Sequence, residues 1–194
     1  DLSIYDNRGY AAIHHCLNLN ENEVNVLQEM IKIDPTIINM RTNSHSKSTT
    51  LLIAFKNNKI DCITFLLQQP TSDIFSTSKE QNTIIHFAVA NSRKKFIDII
   101  LTKIKSLSAN NWKKFVDLIN MDNTKGETAL LIACKKQNIY IVNSLIDTFK
   151  DSLDFSICDN EFVSPFLAAI YSRNDKLINL LLKTDFCMNT IDLS

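Results

Sequence analysis

The sequence predicts an all-α protein, an α-solenoid of about five helix–turn–helix pairs joined by short β-hairpin or turn fingers, and three observations carry that prediction. One short apolar motif recurs along the chain: AAIHHCL from Ala11, TTLLIAF from Thr49, TIIHFAV from Thr83, TALLIAC from Thr128 and SPFLAAI from Ser164. Self-similarity at such spacing marks repeat architectures. A second apolar stripe follows each copy. Only two Gly and three Pro occur in 194 residues, which argues against many tight hairpins or a Gly-rich phosphate loop and favours helix.

The fourth copy, GETALLIACKKQ, shows the unit's layout. Gly126 allows a tight turn, Thr128 is placed to cap a helix, and Lys135, Lys136 and Gln137 mark its wet end. In each copy a small or hydroxylated residue is followed two positions later by Ile13, Leu51, Ile85, Leu130 or Phe166. Five positions later stands Cys16, Ala54, Ala88, Ala133 or Ala169. These lie on one face of a short helix.

The second helices carry apolar residues at i, i+1, i+4 and i+5: Cys62, Ile63, Leu66, Leu67; Phe96, Ile97, Ile100, Leu101; Ile141, Val142, Leu145, Ile146; Leu177, Ile178, Leu181, Leu182. That spacing makes one continuous stripe per helix. In the first copy the insertion NLNEN displaces the stripe by two residues, to Val24, Val26, Leu27, Met30 and Ile31. The largest insertion contains SLSANNWKKFVDLINM. There Ser108 can cap, and Trp112, Phe115, Val116 and Ile119 fall at helical spacing, so an extra helix is expected between the third and fourth copies, beside the third copy's second helix.

Lys plus Arg equal Asp plus Glu at 21 each, so no net field draws the chain to nucleic acid or anionic membrane. Nine cations in the central copies (Lys56, Arg93, Lys94, Lys95, Lys113, Lys114, Lys125, Lys135, Lys136) leave an acidic ligand or nucleic acid as an alternative reading. The five cysteines form no C-x-x-C pair and have no His at metal-ligand spacing, which fits buried thiols in a reducing, cytoplasmic setting. No apolar run approaches the ~18 residues of a membrane helix, and DLSIYDNRGY is too polar for a signal peptide. The HHC triplet at 14 to 16 does not make a Cys–His nucleophile, because adjacent helical residues point about 100° apart. No H-E-x-x-H, G-x-S-x-G or Walker motif is present. No catalytic residue, cofactor or metal is expected.

Ile13-His14 with Gly9, Ile85-His86 after Thr83, Gly126 with Thr128, and Ser164-Pro165 with Asp159 at the hairpin make the chain resemble ankyrin-repeat proteins, whose unit of about 33 residues carries a T-P-L-H-x-A signature. Leu52, Leu131 and Leu167 replace the motif His, and Pro survives only at Pro165. The register spans a single domain, 1–194, with copies near 6–39, 44–73, 78–118, 123–155 and 159–190. The resemblance implies that His14 and His86 brace turns and neighbouring helices. It also implies a protein-binding scaffold whose partner meets a concave side built from finger tips and the ends of the first helices.

By register that side comprises Tyr5, Asn7, Arg8, Tyr10, Asn18 and Leu19; then His45, Ser46, Ser48, Lys56 and Asn57; then Lys79, Glu80, Asn82, Ala90 and Asn91. The later copies add Thr124, Lys125, Glu127, Lys135 and Lys136, then Asn160, Glu161, Val163, Tyr171 and Ser172. Tyr5, Tyr10 and Tyr171 are the expected anchors, since Tyr supplies contact area at low entropy cost. The implied partner is another protein met by a monomer, without membrane insertion. The enzyme-class alternative is a substrate-recruiting domain of a larger enzyme.

Asp1 to Tyr5 reads as the returning half of an earlier finger, and TDFCMNTIDLS as one leading onward with Asp192 at the hairpin position, so a longer parent protein is expected. Intracellular bacteria and AT-rich protists carry many divergent ankyrin proteins. An effector acting on a host protein in the host cytosol is therefore one expected setting.

Overall fold

The computed structural model describes residues 1–19 and 21–184. Cys187 and the Asp192 hairpin expectation lie outside them. The fold is the expected all-α, solenoid-like repeat type: among the described residues no strand forms, and β pairing is confined to bridges Tyr5–Ala11 and Arg41–Thr49 at the finger bases. The chain divides into two compact units, Asp1–Phe87 and Ala88 onward.

In the first unit α1 (Ala12–His15) continues as a 3-10 turn over Cys16–Asn18, then come α2 (Glu23–Ile33), α3 (Thr50–Lys56) and α4 (Ile60–Gln68). α3 buries six consecutive residues, Thr50 to Phe55. Its start is fixed by Thr49, whose Oγ1 accepts from Leu52 N at 3.4 Å. α4 presses Cys62, Ile63, Leu66 and Leu67 into the core, none more than 3% exposed. Each such aliphatic burial contributes about 1.5–3 kcal/mol. α2, displaced by its insertion, fully buries only Leu27, and Ile33 is 74% exposed.

α5 (Ile84–Ala90) begins in the first unit and ends in the second. The second unit continues with α6 (Lys94–Lys105), α7 (Ala109–Ile119), α8 (Ala129–Lys135), α9 (Ile139–Phe149), α10 (Pro165–Tyr171) and α11 (Asp175–Leu182). α8 packs between α9 and α10, and α9 also meets α6 and α11. The stripes of α6 and α9 are buried as spaced, whereas α11 buries Leu177 and Leu181 but leaves Leu182 40% exposed. Among the described residues α11 packs on α9 and α10, and the Leu182 side of it is uncovered.

The insertion forms α7, as the spacing predicts, with two differences. Ser108 occupies the N-cap position without a side-chain capping bond. The aromatic face stacks on Phe149 of α9 in the fourth copy, with ring centroids 5.6 Å from Trp112 and 6.0 Å from Phe115. Offset stacking of this kind adds to plain area burial.

The scarcity of Gly does not prevent tight turns. Asn58, Ser92, Gln137 and Arg173 adopt positive φ, between 52° and 59°, where the first helix hands over to the second in the second to fifth copies, and Asn22 at 63° precedes α2 in the first. At the finger tips the same conformation falls on Gly9, Lys47, Gln81, Gly126 and Phe162. The two glycines are sterically required, since a Cβ at Gly9 would lie 2.5 Å from the Asn43 carbonyl carbon and one at Gly126 would lie 2.8 Å from Asn160 N.

Candidate partner-binding surface

Each finger is locked by the side-chain oxygen of its first residue. Asp6 Oδ1 accepts from Arg8 N at 2.9 Å and Tyr10 N at 2.8 Å. Asn123 Oδ1 takes Lys125 N and Glu127 N, and Asp159 Oδ1 takes Glu161 N and Val163 N at 2.9 Å each. Where the second and third fingers lack a carboxylate, hydroxyls substitute: Thr42 Oγ1 accepts from Ser48 N and Ser78 Oγ from Asn82 N. These Asx- and ST-type bonds hold the loop without a sheet.

Neighbouring fingers are joined within each unit by main-chain bonds. Asn43 N donates to Gly9 O at 2.7 Å and Lys79 N to Ser46 O at 3.0 Å in the first unit; Asn160 N donates to Lys125 O at 3.0 Å in the second. Tips so fixed present their remaining side chains in a set array, a condition for recognition at low entropic cost.

Several residues expected at this surface instead serve the fold. Ser48 is 5% exposed and its hydroxyl donates to Ser46 O. The Tyr5 hydroxyl donates to Arg41 O at 3.0 Å, and Ser172 Oγ to Ala169 O at 2.7 Å. Lys135 Nζ is held by Glu127 at 2.8 Å and by the 3% exposed Asp159 carboxylate at 2.5 Å. Burial alone would push the Asp159 carboxyl up, but Lys135 and the two backbone amides outweigh it and hold it below the ordinary carboxylate range. Lys135 in turn is raised: partial burial would lower it, and the two acids prevail.

The other expected residues sort by exposure. Asn7, Arg8, Asn18, Leu19, His45, Lys56, Lys79, Glu80, Lys125, Lys136, Asn160, Glu161 and Tyr171 are exposed, while Tyr10, Asn82, Asn91 and Val163 are half-buried. Tyr10 sets its ring edge-on to His14, centroids 6.0 Å apart. Tyr171 is 69% exposed. The spacing rules missed Phe162, 84% exposed at φ 61°, and Ile170, 43% exposed. Laying Asp159–Phe162 over Asp6–Gly9 and Asn123–Gly126 would have found Phe162, because it stands where both glycines stand.

The first unit also holds a cavity of about 320 Å³ between its first two fingers and the ends of their inner helices, with Arg8, Tyr10, His15, Asn18, Lys56 and Asn57 at its walls and His14 and Ile53 deeper in. Ser46 and Ser48 also line it, and their hydroxyls are engaged, Ser48 Oγ donating to Ser46 O at 3.2 Å and Ser46 Oγ lying 3.1 Å from Ser44 Oγ. His14 Nδ1 accepts from Ala11 N at 3.0 Å, so Nε2 carries the proton and donates to Met40 O at 3.0 Å. Burial lowers its pKa. His86 braces its turn likewise, with Nδ1 at 2.8 Å from Thr83 Oγ1. Where the motif His is Leu, the hydroxyls of Thr49, Thr128 and Ser164 take over by capping Leu52, Leu131 and Leu167. Burial raises the Cys16 thiol, and it pushes Cys62 up to about 11, far from an activated thiolate. Among the described residues no cluster of three His, Cys, Asp or Glu could hold a metal ion.

A family profile of ankyrin repeats, in three copies, matches residues 10–114, more than half of the 194-residue chain. The chain belongs to the ankyrin-repeat family. Ankyrin repeats are generic protein–protein interaction modules, typically scaffolds rather than enzymes. Among the described residues no helix of this ankyrin protein is long and apolar enough to cross a membrane. Of the basic residues in its second unit, Lys94 lies 4.4 Å over the Tyr140 ring and Lys135 is bound by two acids. Two cations of the alternative anionic-ligand reading are thus already engaged.

Proposed function

We propose that this chain is a five-copy ankyrin array whose activity is recognition of another protein through its finger tips and inner-helix ends, the concave side in this family. The observation that carries the reading is Phe162: its side chain is 84% exposed and its backbone is left-handed. Both features raise the free energy of the unbound protein. A left-handed conformation costs a non-glycine residue roughly 1–2 kcal/mol, and an exposed Phe forgoes about 1.5–3 kcal/mol of burial. Docking against a partner recovers the second term. Tyr171, 69% exposed, and Ile170 belong to the same copy and extend the apolar contact.

The test separates binding from folding. Phe162→Gly relieves the backbone while deleting the anchor, so it raises the melting temperature by a few degrees and weakens capture of protein partners at least tenfold against the parent in quantitative affinity capture. Tyr171→Ala acts in the same direction on capture with little change in melting. If both variants retain the parent's set of captured proteins, the proposed surface is wrong.

A further inference from the structure

The cavity of the first unit is lined by the cations Arg8 and Lys56 without a lining acid, while His14, His15, Ser46 and Ser48 of its lining are hydrogen-bonded elsewhere. Among the described residues the Arg8 guanidinium makes no hydrogen bond or ion pair, and its backbone N–H is tied to Asp6. Among the described residues the Lys56 ammonium makes no hydrogen bond either and acts on Glu80 through its charge. The side-chain amides of Asn18 and Asn57 and the Tyr10 hydroxyl make no hydrogen bond among the described residues. Neither neighbouring carboxylate lines the cavity: Asp6 accepts from Arg8 N and Tyr10 N and pairs with His15 Nε2, and Glu80, which feels the Lys56 charge, accepts from Ser78 Oγ. Free donors and positive charge in a concavity that Ile53 and Tyr10 also line form a receptor for an anionic group on a short carbon stem.

We propose that this cavity receives a glutamate or aspartate side chain of the partner protein, its carboxylate between Arg8 and Lys56 and its methylenes against Ile53. The proposal rests on the protein-recognition reading above and specifies what one copy pair reads. The volume, about 320 Å³, accommodates one such side chain with water. Arg8 enters from the finger and Lys56 from the end of α3, so the charges reach the cavity from two elements rather than one. His15 Nε2 is hydrogen-bonded to Asp6 Oδ2 at 2.9 Å and so points away from this role.

The probe is a dodecapeptide of alternating Glu and Ala, titrated into the isotope-labelled chain while the side-chain amide signals of Asn18 and Asn57 are followed by NMR, with Gln–Ala and Lys–Ala peptides as controls. The expected result is movement of those two amides with the Glu peptide alone, weakened about five- to tenfold in each of Arg8→Gln and Lys56→Gln, weakened by added salt, and unchanged in Lys113→Gln. The substituted side chains are exposed, and a melting curve like the parent's verifies that each variant is folded. Binding as tight as the parent's in the Arg8 and Lys56 variants, or shifts confined to other residues, would overturn the proposal. Displacement of the Glu peptide by millimolar inorganic phosphate would also overturn it, reassigning the cavity to a phosphorylated side chain. Failure here with Phe162-dependent capture intact removes the carboxylate receptor alone; loss of Phe162 dependence removes the broader reading.

Discussion

Asp159 and Asn123 occupy equivalent places in two fingers, and the pair allows the worth of a charge to be separated from that of an acceptor. Both side chains take the amides two and four residues on, at 2.9–3.1 Å. Only Asp159 also holds Lys135, at 2.5 Å. Asp159→Asn therefore keeps the loop lock and loses the pair. Lys135 is about one-third exposed, so the pair is worth far less than a fully buried one, on the order of 1 kcal/mol. Asp159→Ala loses the pair and also strands two amides; at about 1 kcal/mol for each lost loop bond its cost is roughly 3 kcal/mol. For a chain of this size 1 kcal/mol moves the melting temperature by about 2–4 °C, so the two variants separate by several degrees in a circular-dichroism melt. The pH dependence has a fixed sign. A carboxyl whose folded pKa is depressed contributes stability above its unfolded value, near 3.9, and loses it as pH falls through the folded value. The parent should lose its margin over Asp159→Asn on acidification below about pH 4. Equal melting of the Asn and Ala variants, or a margin that persists in acid, would refute the assignment.

Other outcomes test the turns and the buried imidazole. Arg173→Gly and Gln137→Gly should each stabilise the second unit by about 0.5–1 kcal/mol, since relief of the left-handed conformation exceeds the added chain entropy; urea unfolding measures this, and destabilisation would count against a strained turn. His14 is lowered by burial, so its contribution is intact above about pH 6.5 and declines on acidification as the imidazolium becomes favoured in the unfolded chain. His14→Leu, the residue found at Leu52, Leu131 and Leu167, should cost about 1–2 kcal/mol at pH 7.5 and remove that slope between pH 6.5 and 5; an unchanged slope would assign it to another group.

The helices were legible because apolar spacing and packing express the same physics. Leu51, Ile85 and Leu130 fall at one offset and all are buried to within 2% exposure. The turns were not, because left-handed positions usually filled by Gly carry Ser92, Gln137, Phe162 and Arg173, and nothing local in those residue types announces the conformation. The recognition surface was legible only as a register. Lys135 and Tyr5 look like exposed contact residues in the alignment, yet their partners, Asp159 and the Arg41 carbonyl, lie 24 and 36 residues away. Pairing across copies depends on how one finger leans on the next, which a motif within one copy does not encode.

Because a single oxygen at the base of each finger fixes the loop, and Asp, Asn, Thr or Ser all supply it, the side chains between the base and the returning segment are released from structural duty. Positions such as Lys125 and Glu161 can drift through many residue types while the scaffold beneath them stays put. A lineage, or a protein engineer, could retarget such a tip by a handful of exchanges without renegotiating the fold.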